Sequence, residues 1–240
     1  MEVVKPQKYL VRLSDKYYLT DNQRFLYLKF ELVQPNEMMF QAGQYTSIKI
    51  NEQGERRSYS IASMPDETHG FHLLAEVVDG GRGSDFLKRI EVGAEMEILA
   101  PMGRFVVTGR EEKLLFVGTG TGIVPLWSMI NDLLINKHET KQIRLHWGMR
   151  SEEDLFFVDN LERLVEEHSN FVFDIVLSKP TDEWELCSGH VQDCLTRDFP
   201  EGMGGWEAYV CGRKEVTMEI VDKLEAMGIA KENIHNEKFT

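Results

Sequence analysis

The chain has few cysteines and no long hydrophobic run. Its three cysteines, Cys187, Cys194 and Cys211, include no closely spaced pair, so neither a disulfide framework nor a zinc site is predicted. An iron–sulfur cluster needs a full set of thiolates, or thiolates with histidines, and no metal site is expected. No segment approaches the roughly 18 consecutive apolar residues of a membrane helix, so no membrane span is predicted.

Positive charge is also scarce, with 27 Lys and Arg residues against 40 Asp and Glu residues and a net charge of −13. Such a charge repels nucleic-acid backbones and anionic membrane surfaces, which excludes nucleic acid as a partner. A small phosphate-bearing ligand stays allowed, because net charge does not describe local basic patches. The segment Met1–Pro6 lacks the apolar run of a signal peptide, so a cytoplasmic protein is expected.

The composition is typical of a folded protein, with 42% apolar and 28% charged residues. A length of 240 residues fits one large domain or two smaller ones. In the first hundred or so residues, short segments rich in β-branched and aromatic residues alternate with turn formers. Examples are Phe25–Phe30, Tyr45–Ile50 and Phe71–Val78. This spacing predicts an antiparallel barrel or sandwich.

After about residue 110 the pattern changes to apolar strands alternating with helical periods. The predicted strands lie near Leu114–Val117, Ile143–Trp147, Phe171–Leu177 and Ala208–Cys211. The predicted helices lie near Val124–Asn136, Phe156–His168, Val191–Arg197 and Lys214–Met227. Such alternation is typical of a parallel sheet with right-handed crossovers. We therefore predict two domains, at residues 1–109 and 110–240.

A glycine-rich turn follows the first strand of the second half. It consists of Gly118, Thr119, Gly120, Thr121 and Gly122. A turn of this kind directs backbone N–H groups and the positive end of the next helix at one place, which suits a pyrophosphate. The spacing differs from the usual G-x-G-x-x-G pattern, and the alternative is a tight strand-to-helix connection without a ligand.

A second candidate site consists of Arg57, Ser58, Tyr59 and Ser60 in the β-rich half. Arginine is a forked donor for phosphate, tyrosine offers a flat face to a ring, and a serine hydroxyl can bond a ring nitrogen or oxygen. Residues two apart on a strand share a face, so Arg57 and Tyr59 are expected to project to one side. The alternative is an edge strand with a solvated arginine and a half-buried tyrosine.

A third glycine-rich stretch runs from Gly80 to Leu87. Gly81, Gly83 and Ser84 lie at the start of a predicted short helix, so the stretch is a second candidate phosphate site. The alternative is an ordinary turn that leads into a helix capped by Ser84.

Together these stretches resemble the motifs of the ferredoxin–NADP reductase superfamily. Arg57–Ser60 is similar to its R-x-Y-S/T flavin motif, Gly81–Ser84 to its G-x-x-S phosphate motif and Gly118–Pro125 to its nucleotide loop. Pro101–Phe105 resembles the loop that closes the barrel, and Cys211–Arg213 resembles the Cys-Gly turn beside the nicotinamide. The resemblance implies a two-domain β plus α/β fold. An amino-terminal, six-stranded antiparallel flavin-binding barrel would precede a carboxy-terminal, five-stranded parallel α/β nucleotide-binding domain.

The resemblance also implies a flavin site in the first domain. The implied binding residues are Arg57, Ser58, Tyr59, Ser60, Gly81, Gly83 and Ser84. Arg57 would pair with the pyrophosphate, Tyr59 would pack on the isoalloxazine or ribityl region, and Ser60 would hydrogen-bond near N5. The expected cofactor is FAD, and FMN is an alternative because the same arginine and serine features serve either flavin.

For the second domain the resemblance implies a nicotinamide nucleotide site. The implied binding residues are Gly118, Thr119, Gly120, Thr121, Gly122, Cys211 and Gly212. Glu237 would complement the charge of the oxidised nicotinamide, and Phe239 would cover the flavin. Ser60, Cys211 and Glu237 are thus the implied catalytic residues. Cys211 also fits the alternative of a small buried apolar residue.

The choice between NADPH and NADH is expected to depend on the segment that follows the second strand of the nucleotide domain. Arg150 and Ser151 suit a 2′-phosphate, whereas free ribose hydroxyls tolerate carboxylates. The acidic run Glu152–Asp154 also fits the solvated first turn of a helix. The sequence leaves both nucleotides open, with Arg150 as the residue that NADPH would require.

The predicted function is an NAD(P)H-dependent flavoprotein oxidoreductase that passes a hydride from nicotinamide to FAD and then electrons to a separate acceptor. The expected acceptor is a ferredoxin or flavodoxin, or a small molecule as in free-flavin and ferric reductases. The alternative is a non-catalytic or electron-transfer subunit of a larger complex. Basic residues that could dock an acidic carrier are few: Lys88, Arg89 and Arg104.

Overall fold

The protein is described by a computed structural model that covers residues 5–239 and divides into two compact units. Of the described residues, the first unit comprises 5–106 and Trp127–Asp132, and the second comprises Val107–Leu126 and 133–239. Among residues 5–239, every helix is too short or too polar to cross a membrane.

The first unit is built on a six-stranded antiparallel sheet. Its strands are β1 (Gln7–Tyr18), β2 (Phe25–Gln34), β3 (Tyr45–Lys49), β4 (Arg56–Ser60), β5 (Gly70–Glu76) and β6 (Glu95–Met102). They follow the order β4-β3-β6-β1-β2-β5, and a bridge between Ile61 and Leu73 joins the two ends of the sheet. This arrangement confirms the predicted six-stranded barrel. Helix α1 (Arg82–Arg89) connects β5 to β6.

Alternating apolar residues fill the barrel. Leu26, Leu28 and Phe30 of β2 point into the core and are at most 2% exposed. The Phe30 ring stacks on Phe71 of β5 with centroids 5.1 Å apart. Each such side chain contributes about 2 kcal/mol by leaving water. The period-2 pattern therefore fixes which face of each strand lies inside.

The second unit is built on a six-stranded parallel sheet in the order β10-β9-β8-β7-β11-β12. Its strands are β7 (Lys113–Thr119), β8 (Gln142–Met149), β9 (Phe171–Leu177), β10 (Cys187–Ser188), β11 (Trp206–Arg213) and β12 (Ile234–Phe239). Its helices are α2 (Ile123–Asn131), α3 (Val158–Glu167), α4 (Val191–Asp198) and α5 (Lys214–Ala226), of which the end of α2 groups with the first unit. The predicted α/β architecture is confirmed. The sheet has one strand more than the five predicted, because the two-residue β10 adds to its edge.

The expectation that the cysteines form no disulfide is wrong for two of them. Cys187 in β10 and Cys194 in α4 are joined by a disulfide, with their Cα atoms 6.6 Å apart. A turn at Gly189, which has a φ of +100°, brings the end of β10 back to the start of α4. Cys211 is a free, buried thiol.

Candidate functional site

Strand register aligns the predicted nucleotide-site residues at one edge of the parallel sheet. Gly118 of β7 pairs with Cys211 of β11, and Cys211 pairs with Glu237 of β12. On the other side, Thr119 pairs with Gly148 of β8. The carboxyl ends of parallel strands meet at this edge, which is where ligands bind in open α/β sheets.

The predicted glycine turn connects β7 to α2 through a tight 3₁₀ turn at Gly120–Gly122. Gly120 has a φ of +56°, which favours glycine. A Cβ atom on Gly122 would overlap the carbonyl group of Cys211. The Trp147 indole N–H donates to the Gly120 carbonyl at 3.1 Å, which holds that carbonyl in place. No cationic side chain lies within the turn itself.

Gly212 approaches the same loop from β11. A Cβ atom on Gly212 would overlap the Thr119 hydroxyl, so a larger residue there would force the Thr119 side chain to move. Gly118 is also constrained, since a Cβ atom there would lie 3.1 Å from the amide nitrogen of Ile123. The glycines that the sequence singled out therefore permit close backbone approaches around the turn.

The edge also contains two ionisable side chains, the carboxyl group of Glu237 and the thiol of Cys211. Burial raises the pKa of Glu237 to about 7, and its Oε2 atom has no hydrogen-bond partner within residues 5–239. Burial, followed by the neighbouring Glu237 carboxylate, raises the pKa of the Cys211 thiol, which is 1% exposed. The edge therefore presents a protonated thiol beside a carboxyl group that titrates near neutral pH.

In the first unit, Arg57, Tyr59 and Gly83 meet. A Cβ atom on Gly83 would lie 2.6 Å from the Tyr59 hydroxyl and 3.1 Å from Cγ of Arg57. Arg57 and Tyr59 share a face of β4, while Ser58 between them is exposed. Burial raises the pKa of Tyr59 to about 12, so the phenol stays neutral. The Arg57 and Gly83 stretches, 26 positions apart, thus form one place.

Helix α1 directs its amino terminus at that place. The first N–H groups of a helix lack intrahelical acceptors, and the cap residue, Gly81, has no side chain to bond them. Ser84 does not cap the helix either: its hydroxyl accepts from the Val78 amide at 2.9 Å. At the other end of the helix, the Lys16 ammonium group donates to the carbonyls of Lys88 and Ile90. The uncapped amides are therefore available to an anion beside Arg57.

Two charged residues of this cradle were absent from the predicted binding set. Glu55, directly before β4, accepts from Arg57 at 2.6 Å and from Arg82 at 2.8 Å. Hydrogen bonding from Arg57 is the largest cause that lowers the pKa of Glu55. No sequence signal separates Glu55 from the other 39 acidic residues, since the chain contains 40 Asp and Glu.

The remaining predicted residues are more dispersed. Ser60 is buried at the end of β4, where it pairs with Tyr45 of β3. Phe239 lies at the end of β12, where it pairs with Arg213, whereas Glu237 pairs with Cys211. Arg150 is exposed directly after β8. The acidic run after it forms a 3₁₀ turn rather than the first turn of an α-helix. Within it, the Glu152 carboxylate accepts from the amide and hydroxyl of Thr181.

A polar cluster on the parallel sheet groups His146, Asp174 and Asp198 with their ligand atoms within 4.8 Å of one another. Arg144 donates to Asp174 at 2.9 Å and to Asp198 at 3.2 Å. A guanidinium group at this point repels a cation, so the cluster is an ion-pair network rather than a metal centre.

Comparisons with known proteins agree with this geometry. Residues 10–107 match the family of oxidoreductase FAD-binding domains, and residues 116–223 match the family of oxidoreductase NAD-binding domains. The chain is 31% identical over 221 residues to ferredoxin–NADP reductase B of Sorangium cellulosum, which covers 88% of this chain and 90% of that protein. It is 31% identical over 206 residues to a phenol 2-monooxygenase reductase component of a Pseudomonas species, covering 84% of this chain and 58% of that protein.

A solved structure shares the whole fold. An Amycolatopsis cytochrome P450 reductase superposes with a TM-score of 0.91 at 26% identity, covering 100% of this chain and 72% of that one. Both family matches, the similarity to the Sorangium protein over most of both chains and the fold lead to one conclusion. The chain belongs to the ferredoxin–NADP reductase superfamily of NAD(P)H-dependent flavin oxidoreductases.

Proposed function

We propose that the chain passes a hydride from NADPH or NADH to FAD and then delivers electrons to a ferredoxin or flavodoxin. The observation that carries this proposal is that each unit has a glycine-rich turn without a side-chain cap at the start of a helix, at Gly81 and Gly83 before and in α1 and at Gly120–Gly122 before α2. We call these turns the first and the second cradle. We assign FAD to residues 1–109 and the nicotinamide nucleotide to residues 110–240. When bound, a flavin accepts the two electrons of a hydride and releases them one at a time.

The residues at the first cradle fit a flavin diphosphate. A Cβ atom at position 83 would collide with the Tyr59 hydroxyl, so glycine allows Tyr59 and Arg57 to pack against the start of α1. In this proposal Arg57 and the first amides of α1, including those of Gly83 and Ser84, bind the phosphates. Tyr59 packs on the flavin, and the Ser60 hydroxyl donates a hydrogen bond to the ring.

The residues at the second cradle fit a nicotinamide nucleotide. The amides of Gly120–Gly122 bind its phosphates, and Cys211 with Gly212 borders the nicotinamide. Glu237 acts as a negative charge that stabilises the oxidised, positively charged ring. Phe239 covers the flavin when nicotinamide is not bound.

The acceptor is the finer part of the proposal. Lys88, Arg89 and Arg104 are exposed in the first unit and offer positive charge to an acidic electron carrier. The Sorangium relative is named for ferredoxin, and the Pseudomonas relative for an oxygenase. We propose a carrier protein as the acceptor and the cytoplasm as its compartment. Disulfides are rare in reducing compartments such as the cytoplasm. Reduced thiols at Cys187 and Cys194 in cells would therefore support a cytoplasmic location, and an oxidised pair would contradict it.

The visible spectrum of the purified protein, recorded before and after anaerobic addition of NADPH or NADH, tests the function. We expect a flavin band that bleaches on addition of one of the nucleotides. A colourless protein that cannot be reconstituted with FAD would instead indicate a non-catalytic subunit. Ferredoxin, flavodoxin, free flavin and ferric chelates are then compared as acceptors by kcat/KM, and a small molecule that outperforms both carriers overturns the carrier assignment.

A further inference from the structure

Glu55 links the two arginines that border the candidate flavin-phosphate cradle. Its Oε1 atom accepts from Arg57 at 2.6 Å, and its Oε2 atom accepts from Arg82 at 2.8 Å. Arg57 belongs to strand β4 and Arg82 is the first residue of helix α1. One carboxylate therefore connects the two elements that border the cradle.

The carboxylate is itself held in place. The Glu55 amide donates to Oδ1 of Asn51 at 3.0 Å, and the Asn51 side-chain amide donates to Oε2 of Glu55 at 2.9 Å. Glu55 is half-buried, with a side-chain exposure of 20%, whereas the Arg82 side chain is 72% exposed. The Arg82 side chain has no other hydrogen-bond partner among residues 5–239, so the orientation of its guanidinium group depends on Glu55.

We propose that Glu55 is a positioning residue for the flavin phosphates, which rests on the proposed flavin site. An unpaired arginine with this exposure samples many rotamers, and a ligand must order it on binding. Glu55 orders Arg57 and Arg82 beforehand and reduces the repulsion between their like charges. It occupies few of the N–H donors of each guanidinium group, so most remain available to phosphate oxygens.

A carboxylate near a phosphate also repels it, and this effect has the opposite sign. The two effects separate with ionic strength, because salt of about 0.3 M shortens the Debye length to about 6 Å and screens the repulsion between partly exposed groups. The direct contacts between Glu55 and the arginines are screened much less. At this salt concentration the ordering of the two arginines dominates.

The test measures dissociation constants of the flavin-free protein by quenching of flavin fluorescence at about 0.3 M salt. FAD is compared with riboflavin, which carries no phosphate. For Glu55→Gln and Glu55→Ala we expect FAD to bind about tenfold more weakly, while riboflavin binding changes less than about twofold. Glu52→Gln is the matched control in the same turn, because among residues 5–239 its carboxylate pairs only with Lys49, at 3.8 Å, and its side chain is 96% exposed.

The results separate this inference from the function on which it rests. If the wild-type protein binds neither FAD nor FMN, the proposed flavin site is wrong and the inference falls with it. If the wild-type protein binds FAD but the Glu55 variants bind it equally well or more tightly, only the inference is wrong. A parallel loss of riboflavin affinity in both variants would show a general structural role and would also overturn it.

Discussion

The two cradles of this protein differ in how they attract an anion. In the first unit, Arg57 and Arg82 flank the start of α1, and Glu55 holds both. In the second unit, the turn at Gly118–Gly122 offers backbone amides and threonine hydroxyls without a cationic side chain. Charge-assisted hydrogen bonds are roughly twice as strong as neutral ones. The first cradle is therefore suited to a cofactor that stays bound, and the second to a nucleotide that exchanges every turnover.

The largest expected effect comes from a substitution in the cradle of the second unit, which has no cationic side chain. Gly122→Ala places a Cβ atom on the Cys211 carbonyl and forces β7 and β11 apart at the turn. We expect the Kd for nicotinamide nucleotide to rise at least about 100-fold, while the flavin content per chain stays unchanged. Gly204→Ala is the control, since a Cβ atom there meets nothing within 4 Å. Unchanged nucleotide affinity in Gly122→Ala would place the nucleotide elsewhere.

The same edge of the parallel sheet contains the Glu237 carboxyl group, whose protonation depends on pH. The Glu237 carboxyl has a pKa of about 7 in the folded protein against an ordinary value of 4.5. The folded state therefore binds more protons between these values, and stability falls as the pH rises through this window, by about 3 kcal/mol in total.

Glu237→Gln should remove most of that loss. Urea unfolding of both proteins at about pH 5 and pH 8 gives the comparison, with the wild type losing stability and the variant changing less. Equal losses in the two proteins would show that the Glu237 pKa is not raised.

In the cradle of the first unit, removal of one guanidinium group should weaken the binding of flavin but not that of the nicotinamide nucleotide. For Arg57→Ala we expect an increase of about 30-fold in the Kd for FAD, since a hydrogen bond to a charged group contributes about 2 kcal/mol. Nucleotide affinity should not change. Arg12→Ala serves as the control, because Arg12 lies on β1 and pairs with Glu95 of β6. Equal flavin affinity in the Arg57 and Arg12 variants would contradict the assignment of the cradle.

The smallest expected effect concerns charge outside the second cradle. If the protein uses NADPH, Arg150→Ala should lower the NADPH/NADH ratio of kcat/KM by about tenfold, because it removes an exposed donor for the 2′-phosphate. Arg163→Ala, an exposed arginine on α3, should leave the ratio unchanged. A constant ratio in Arg150→Ala would show that this residue does not select the nucleotide.

The sequence predicted the elements whose patterns are strong. Four apolar runs of the second half became β7, β8, β9 and β11, since a strand buried on both faces needs continuous apolar residues. Strand β10 has two residues and shows no period. Strand β12 lies at the sheet edge, and most of its residues are polar, with exposed and half-buried positions alternating. It therefore shows no clear hydrophobic pattern. Both contribute to the sheet through pairing with their neighbours rather than through their own composition.

At the sites, the sequence located glycines and donors but not their long-range contacts. Gly83 and Gly122 were found because glycine is conspicuous at the start of a helix. The ion pair between Glu55 and Arg82 spans 27 positions and forms only when α1 packs beside β4. The disulfide between Cys187 and Cys194 similarly depends on a turn that no cysteine spacing reveals.

The salt dependence of the two binding reactions tests the contrast between the cradles most directly. The Kd for FAD is measured on flavin-free protein and the Kd for NAD⁺, which lacks a 2′-phosphate, on flavin-loaded protein, from about 0.05 to 0.5 M salt. The charged cradle predicts that FAD binding weakens by about tenfold over this range while NAD⁺ binding changes by less than about twofold. Equal salt dependence for the two ligands, or a steeper one for NAD⁺, would contradict it.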